Sequence, residues 1–200
     1  MSTKDHWEHV YASRTDADLS WTQIDPRLSL SLIAEVCSTG SVIDVGGGTS
    51  LLPGGLLDRG YSVTVLDISE TALNKARERL GPKAGRIHWI QADVTAMGGV
   101  GTFDLWHDRA VFHFLTNPGD RAAYVALLKQ TVCVGRHAVI ATFAPEGPEK
   151  CSGLDVRRYS GLTLGSELGD SFQLLKTVPE THVTPGGKRQ AFQYSLFQRV

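Results

Sequence analysis

The sequence predicts an α/β fold in which a mostly parallel β-sheet carries helices on both faces. Apolar segments of strand length alternate along the chain with segments of helical periodicity. Three consecutive glycines, residues 46–48, follow the first strand, and their bare backbone allows close approach to a ligand. Asp67 ends the second strand, where a carboxylate can accept hydrogen bonds from a ribose. These observations predict a nucleoside-binding sheet.

Residues 1–40 predict a helical leader ahead of this sheet. Aromatic residues at helical spacing indicate a short helix over residues 5–12. A second helix is expected to begin with Pro26 in its first position and to end at Gly40. Two roles are open for the leader aromatics, packing against the domain or closing as a lid, and these residues are Trp7, Tyr11 and Trp21.

The core, residues 41–143, alternates regularly between predicted strands and predicted helices. Strand-helix-strand units of this kind connect parallel strands. The expected strands are 42–45, 61–66, 86–91, 103–106 and 138–143, and the expected helices are 51–59, 69–80 and 120–132.

The remaining segment, residues 144–200, is expected to supply a substrate loop and an antiparallel ending. Pro, Gly and charged residues indicate a loop over 144–153, and a helix is expected over 159–168. Two strands, 172–178 and 190–199, flank the turn-forming residues 182–187, as in a hairpin. A length of 200 residues, without repeats or a low-complexity segment, predicts a single domain over residues 1–200.

Composition and charge exclude several functional classes. The 20 basic and 21 acidic residues form no basic stripe, so nucleic acid and anionic membranes are not expected partners. No apolar signal core and no membrane-spanning run is present, and the three cysteines lack metal-ligand spacing. We therefore expect a cytoplasmic protein with reduced thiols and no bound metal.

The residues at the strand ends carry a family resemblance. The glycine turn Asp44-Val45-Gly46-Gly47-Gly48 lacks the last glycine of a dinucleotide fingerprint, and no P-loop lysine follows it. Asp67 and then Gln91-Ala92-Asp93-Val94 follow the next two strands. This succession resembles the class I S-adenosylmethionine-dependent methyltransferases from about Ser41 to Phe143, with Ser50 in place of a usual glycine.

The resemblance implies a Rossmann-like methyltransferase fold with seven strands, one of them an antiparallel edge strand. It implies S-adenosylmethionine as cofactor and S-adenosylhomocysteine as product. In this family the glycine turn approaches the methionine part, the second acid binds the ribose and the third faces the adenine amine. The leader is similar to the N-terminal cap of some small methyltransferases, which implies that it also contacts the cofactor. The implied cofactor contacts are Tyr11, Arg14, Trp21, Asp44, Gly46, Gly47, Gly48, Asp67, Ile68, Asp93, Val94 and His107.

The segment after the fourth strand is expected to lie at the transferred methyl group, because ligands bind beyond the carboxyl ends of such strands. His113 resembles the first histidine of a Leu-His-His-Leu run in small-molecule members, and it is either a general base or a core residue. His107 and Asp108 are expected at the strand tip, as further catalytic candidates. The substrate candidates are Arg109 (binding an anion or pairing with Asp108), His113, Cys151 and Tyr159.

Methyl transfer to a small-molecule thiol, hydroxyl or amine is the function that these residues favour. A protein-lysine methyltransferase is the alternative, because the leader and Asp108-Arg109-Ala110 loosely resemble such enzymes. A non-catalytic nucleoside-binding domain is the alternative from another class, and NAD-dependent oxidoreduction is more distant. No Asn/Asp-Pro-Pro-Tyr/Phe motif follows the fourth strand, which disfavours DNA bases and glutamine amides as acceptors.

Overall fold

The computed structural model of the protein describes residues 3–200, and its strands and helices follow the predicted alternation. In chain order the strands are β1 (Ser41–Val45), β2 (Ser62–Asp67), β3 (Ile87–Gln91), β4 (Phe103–Arg109), β5 (Val132–Phe143), β6 (Lys150–Cys151), β7 (Leu154–Asp155), β8 (Phe172–Val183) and β9 (Arg189–Arg199). The helices are α1 (Thr3–Ser13), α2 (Arg27–Val36), α3 (Leu52–Leu57), α4 (Glu70–Leu80), α5 (Pro118–Thr131) and α6 (Gly161–Leu168).

The main sheet has seven strands in the order β3-β2-β1-β4-β5-β9-β8. The first five strands pair in parallel, whereas β9 is antiparallel to β5 and β8 is antiparallel to β9. The predicted α/β class with an antiparallel edge is thereby confirmed. The sheet changes direction of winding between β1 and β4, and open α/β sheets bind ligands at such a point.

Alternate residues of the central strands pack on opposite faces of the sheet. Val42 and Leu105 lie in a cluster with α2, α3 and α4, whereas Ile43 and Trp106 lie in a cluster with α5 and α6. The leader helix α1 packs against α4. No helix within residues 3–200 has the length and apolar character needed to cross a bilayer.

Strand β4 is longer than predicted, and this changes the setting of three site candidates. The sequence indicates an end at Trp106, but β4 continues through His107, Asp108 and Arg109. A run of polar residues ordinarily marks a strand end, yet here each side chain has a partner within the fold, as described below. Strand β5 likewise begins earlier than predicted, at Val132.

The other differences concern the ends of elements. Helix α2 ends at Val36 rather than at Gly40, and Pro26 immediately precedes it. The expected loop 144–153 contains β6, which pairs with β7. Strand β8 extends through His182, which was counted among the turn-forming residues 182–187. His182 Nε2 lies 2.8 Å from the carbonyl oxygen of Ser20 and so links β8 to the leader.

Candidate functional site

A cavity lies along the carboxyl edge of the parallel strands, where the topology predicts a ligand. Because β9 is antiparallel to β5, its first residues reach the same edge, and Phe192 lies opposite Phe143. The cavity therefore extends from the β2–β3 end of the sheet, which we call the acid end, to the β5–β9 end, which we call the aromatic end. The residues of the acid end are Leu66, Asp67, Ile68, Ala92, Asp93 and Val94, and those of the aromatic end are Arg109, His113, Phe114, Phe143, Cys151 and Phe192.

The glycine turn after β1 has a backbone that side chains would obstruct. Gly46 and Gly48 have positive φ angles of 66° and 46°. A Cβ at Gly46 would lie 2.0 Å from Val111 Cγ2, and a Cβ at Gly48 would lie 2.5 Å from Tyr11 Oη. The turn therefore requires glycine both for its conformation and for the close approach of its neighbours. Gly46 lines the cavity, and Gly47 lines an adjoining recess.

Asp67 lies at the tip of β2 and lines the cavity, as predicted from the sequence. Its carboxylate accepts hydrogen bonds from the backbone amides of Gly48 and Ser69, each at 2.8 Å. Burial raises the pKa of this carboxyl group from its ordinary value of 3.8 to about 6. The group is thus ionised at neutral pH, with further lone pairs available to a ligand.

The leader supplies one wall of the cavity through Trp7, Tyr11 and Trp21. Glu8 fixes α1 to the start of α4, because its carboxylate accepts hydrogen bonds from the Glu70 amide at 2.7 Å and from the Ser69 hydroxyl at 3.1 Å. This carboxylate at a helix N-terminus satisfies donors that otherwise lack partners.

Arg14, which was expected among the cofactor contacts, does not line the cavity. Its carbonyl oxygen accepts a hydrogen bond from Lys75 Nζ at 2.9 Å. The same Nζ donates to the Tyr11 carbonyl at 2.5 Å. The leader is thus held at this point by Lys75, and its contribution to the cavity wall comes from Thr3 and the three aromatic residues.

Asp44, His107 and Ser29 form a buried hydrogen-bonded row beside the glycine turn. His107 Nδ1 lies 2.7 Å from Asp44 Oδ1, and His107 Nε2 lies 2.9 Å from Ser29 Oγ. The three residues line the adjoining recess, which shares Gly46 and Arg109 with the main cavity. His107, predicted at a strand tip near the methyl group, therefore lies inside the sheet and orients Asp44.

Asp108 does not line the cavity, contrary to its expected place at a strand tip. Its carboxylate accepts hydrogen bonds from the Val111 and Phe112 amides at 2.8 and 3.0 Å, and from the Tyr124 hydroxyl at 2.6 Å. Burial raises its pKa to about 6. These contacts shape the turn that carries His113. Asp108 therefore holds this turn in position without lining the cavity.

His113 lines the cavity and is fully buried. Its Nδ1 accepts a hydrogen bond from the Phe143 amide at 3.2 Å, so this nitrogen carries no proton. Burial, with a contribution from the Arg109 charge, lowers the pKa of His113 to about 3, so the ring is neutral and its proton lies on Nε2. This arrangement makes His113 a donor and disfavours the general-base role, one of the two roles left open by the sequence.

Arg109 lines both the cavity and the recess. Its Nε donates to Tyr194 Oη and its Nη1 donates to the Trp21 carbonyl, each at 2.9 Å. Its guanidinium carbon lies 4.4 Å from the centroid of the Phe192 ring, within cation–π distance. The alternative pairing with Asp108 is not found, because Asp108 is occupied by the turn and Tyr124.

The two other substrate candidates are placed differently from each other. Cys151 lines the cavity, and burial raises the pKa of its thiol to about 11, so the thiol is neutral. Tyr159 lies in the core and does not line the cavity, because its ring packs against Phe112 at a centroid distance of 5.4 Å. Only Cys151 of this pair reaches the site.

Phe143 and Phe192, two walls of the aromatic end, were not predicted as site residues. Phe143 ends β5, a position that the topology alone could have indicated. Phe192 enters the site only through the antiparallel register of β9, which no local pattern reveals. Within residues 3–200, no group of three or more His, Cys, Asp or Glu side chains is arranged to hold a metal ion.

Comparisons with known proteins agree with this geometry. A family model described as a methyltransferase domain matches residues 42–135, which contain the glycine turn, Asp67 and Asp93. A curated relative, the eEF1A lysine and N-terminal methyltransferase of Danio rerio, is 27% identical over an alignment length of 151 residues, and the match covers 73% of this chain and 22% of that protein. The chain thus spans about a fifth of the length of this relative.

Two solved structures are similar over almost the whole chain. The N-methyltransferase NodS from Bradyrhizobium japonicum, in complex with S-adenosylhomocysteine, has a TM-score of 0.74 and 14% identity, with 99% of each chain covered. A structure titled for the conversion of a disulfide bond into a thioacetal group during echinomycin biosynthesis has a TM-score of 0.76 and 19% identity, covering 99% of this chain and 92% of that one. At such identities the likeness establishes the fold.

Proposed function

Since this chain belongs to the class I S-adenosylmethionine-dependent methyltransferases, we propose that it methylates a small-molecule thiol, hydroxyl or amine bound at the aromatic end of the cavity. The enzyme class and the cofactor follow from the family. The acceptor is proposed from the shape and chemistry of the cavity.

The residues of the acid end and the recess fit the cofactor. Asp67 offers carboxylate lone pairs to ribose hydroxyls, and Asp93 lines the same end of the cavity. Asp44 Oδ2 is buried without a hydrogen-bond partner among the described residues, and it lines the recess beside Gly46. This unpaired acceptor suits the amino group of the methionine part. When bound, the cofactor supplies a sulfonium methyl group to an acceptor lone pair, and its own C–S bonding pair stays on sulfur.

The observation that carries the small-molecule proposal is the aromatic lining of this end of the cavity. Phe143, Phe192 and Phe114 line it, and Trp7 and Trp21 of the leader line the same cavity. The ring centroids of Trp7 and Phe114 lie 5.0 Å apart, so the leader closes directly on the segment after β4. Such an apolar lining suits a small acceptor with an apolar body and restricts its orientation.

Orientation, rather than proton removal, is the contribution expected from this chain's residues. His113 has its proton on Nε2 and the Cys151 thiol is neutral, so neither supplies a base at neutral pH. An acceptor that is already ionised or has a free lone pair needs only alignment with the methyl group. The aromatic walls and Arg109 supply that alignment.

Protein-lysine methylation is the second candidate, because the name of the Danio rerio relative includes a lysine methyltransferase activity. The aromatic end weighs against it, since Arg109 brings a positive charge to the place where a lysine ammonium group would enter. The small-molecule acceptor therefore ranks first.

A direct test separates the two candidates. The purified protein is incubated with methyl-labelled S-adenosylmethionine and either a panel of small thiols, phenols and amines or lysine-rich protein acceptors. We expect label in small products only, and loss of that label in an Asp67→Asn variant. Label confined to protein would replace the proposal with the second candidate.

A further inference from the structure

Two nitrogen donors in the wall of the aromatic end lack hydrogen-bond partners among residues 3–200. They are Nη2 of Arg109 and Nε2 of His113, and both atoms are buried. The His113 side chain is fully buried, and that of Arg109 is 10% exposed. Native proteins satisfy nearly all buried polar groups, so two open donors in one cavity point to a ligand that accepts hydrogen bonds.

Neighbouring contacts hold both donor groups in fixed positions beside Phe192. The Tyr194 hydroxyl and the Trp21 carbonyl anchor the Arg109 guanidinium, and the Phe143 amide anchors the His113 ring. Phe192 lies beside both groups, with its ring centroid 4.4 Å from the Arg109 guanidinium carbon and 6.4 Å from the His113 ring centroid. The donors thus belong to one end of the cavity and are ordered before any ligand binds.

The charged residues that line the cavity are divided between its two ends. Arg109 lies at the aromatic end, whereas the carboxylates Asp67 and Asp93 lie at the acid end. Strands β1 and β4 separate β2 from β5, which places Asp67 roughly 14 Å from β5 at three strand spacings. Glu180 forms an ion pair with Arg109, with its Oε2 3.7 Å from Nη2, but this distance is too long for a hydrogen bond, so the Nη2–H donors stay available to a ligand. The Glu180 carboxylate accepts hydrogen bonds from Gln23.

We propose that the methyl acceptor carries an anionic oxygen, as in a carboxylate, which Arg109 and His113 bind through Nη2–H and Nε2–H. The proposal rests on methyl transfer to a small molecule at this end, as proposed above. Hydrogen bonds from a cation to an anion are stronger than those between neutral groups, so this pair selects for charge. The Phe143 and Phe192 rings favour a flat apolar body attached to that anion. Arg109 and His113 are then specificity-determining residues, and His113 acts as a donor.

Three probes of similar size and different charge test the proposal without turnover. Benzoate, benzamide and benzylamine are titrated by calorimetry into the protein saturated with S-adenosylhomocysteine. We expect benzoate to bind at least tenfold more tightly than benzamide, and benzylamine to bind more weakly than either. Equal binding of the three, or preference for benzylamine, would overturn the proposal.

Paired variants identify the residues responsible. His113→Gln keeps an N–H donor and should retain benzoate binding within a few fold, whereas His113→Phe should lose about tenfold and bind benzamide almost unchanged. Arg109→Lys should retain part of the preference for benzoate, whereas Arg109→Met should abolish it. Unchanged benzoate affinity in His113→Phe would contradict the role of Nε2–H.

Binding of S-adenosylhomocysteine separates two kinds of failure. If the wild-type protein does not bind it, the proposed function fails together with this inference. If it binds and the probes show no preference for the anion, only the anionic acceptor is rejected. The wild-type titrations decide this even if an Arg109 variant does not fold.

Discussion

The Gly48 amide donates a hydrogen bond of 2.8 Å to Oδ2 of Asp67, which joins the glycine turn after β1 to the tip of β2. The Ser69 amide holds the other carboxylate oxygen at the same distance. Two backbone donors thus fix the orientation of one buried carboxylate at the cavity wall. A ribose would meet an acceptor that is already aligned, so no side-chain freedom is lost on binding.

Removal of the Asp67 charge should weaken cofactor binding. An Asp67→Asn variant loses charge-assisted hydrogen bonds to the ligand, and we expect the affinity for S-adenosylhomocysteine to fall by about 1.5–3 kcal/mol. Calorimetry at pH 7.5 measures the change. Asp155→Asn, at an exposed acid of β7, is the control and should bind like the wild type. An Asp67→Asn variant with wild-type affinity would remove Asp67 from the site.

Cofactor affinity should depend on pH through the same carboxyl group. Burial raises the pKa of Asp67 to about 6, so this group is protonated progressively below pH 6 and loses acceptor capacity for ribose hydroxyls. We expect constant affinity for S-adenosylhomocysteine above pH 7 and a fall approaching tenfold per unit below pH 6. Titrations from pH 5 to 8 check this. In Asp67→Asn the slope should disappear; a slope that persists would assign the titration to another group.

The pH dependence of stability should report on Asp108. Its pKa is raised by burial from 3.8 to about 6 in the folded protein, so its contribution is full below pH 3.8 and is lost as the pH rises through 6. Between pH 4.5 and 7 this group should cost about 2 kcal/mol of the free energy of unfolding.

An Asp108→Asn variant lacks this titration and keeps an oxygen acceptor for the turn. The stability of this variant relative to wild type should therefore be higher at pH 7 than at pH 4.5. Urea unfolding of both proteins at the two pH values gives the double difference. Identical pH slopes for the two proteins would contradict the raised pKa.

The buried row of Asp44, His107 and Ser29 should contribute to both stability and cofactor binding. His107→Phe removes the hydrogen bond to Asp44 Oδ1 and leaves a buried carboxylate without it, which should cost about 1–3 kcal/mol of the free energy of unfolding. His107→Asn retains a donor near the Nδ1 position and should recover part of this loss. His88→Phe, at an exposed histidine of β3, is the control for the substitution itself. Equal stability of His107→Phe and wild type would show that the hydrogen bond between His107 and Asp44 does not stabilise the fold.

Much of this architecture is predictable from local sequence patterns. Apolar strand segments, the glycine turn and Asp67 follow rules of periodicity and backbone conformation that act over a few residues. The parallel order of strands then brings the carboxyl ends of distant segments to one edge, which explains why Asp67, Asp93 and Gly46 could be placed at one site.

The remaining features depend on contacts between segments far apart in the chain. His107 and Asp108 read as a strand end, because their partners Asp44, Ser29 and Tyr124 lie elsewhere in the sequence. The role of His113 depends on the Phe143 amide, which determines the nitrogen that carries the proton. Tyr159 faces the core and Phe192 faces the cavity because of packing and register, neither of which has a local signature.

A crystal structure of the protein with S-adenosylhomocysteine would show how the cofactor lies in the cavity. We expect both ribose hydroxyls at hydrogen-bond distance from the Asp67 carboxylate, about 2.5–3.0 Å. We also expect the sulfur to be directed toward the aromatic end, where His113 and Arg109 lie. A cofactor bound outside this cavity, or a ribose turned away from Asp67, would contradict this expectation.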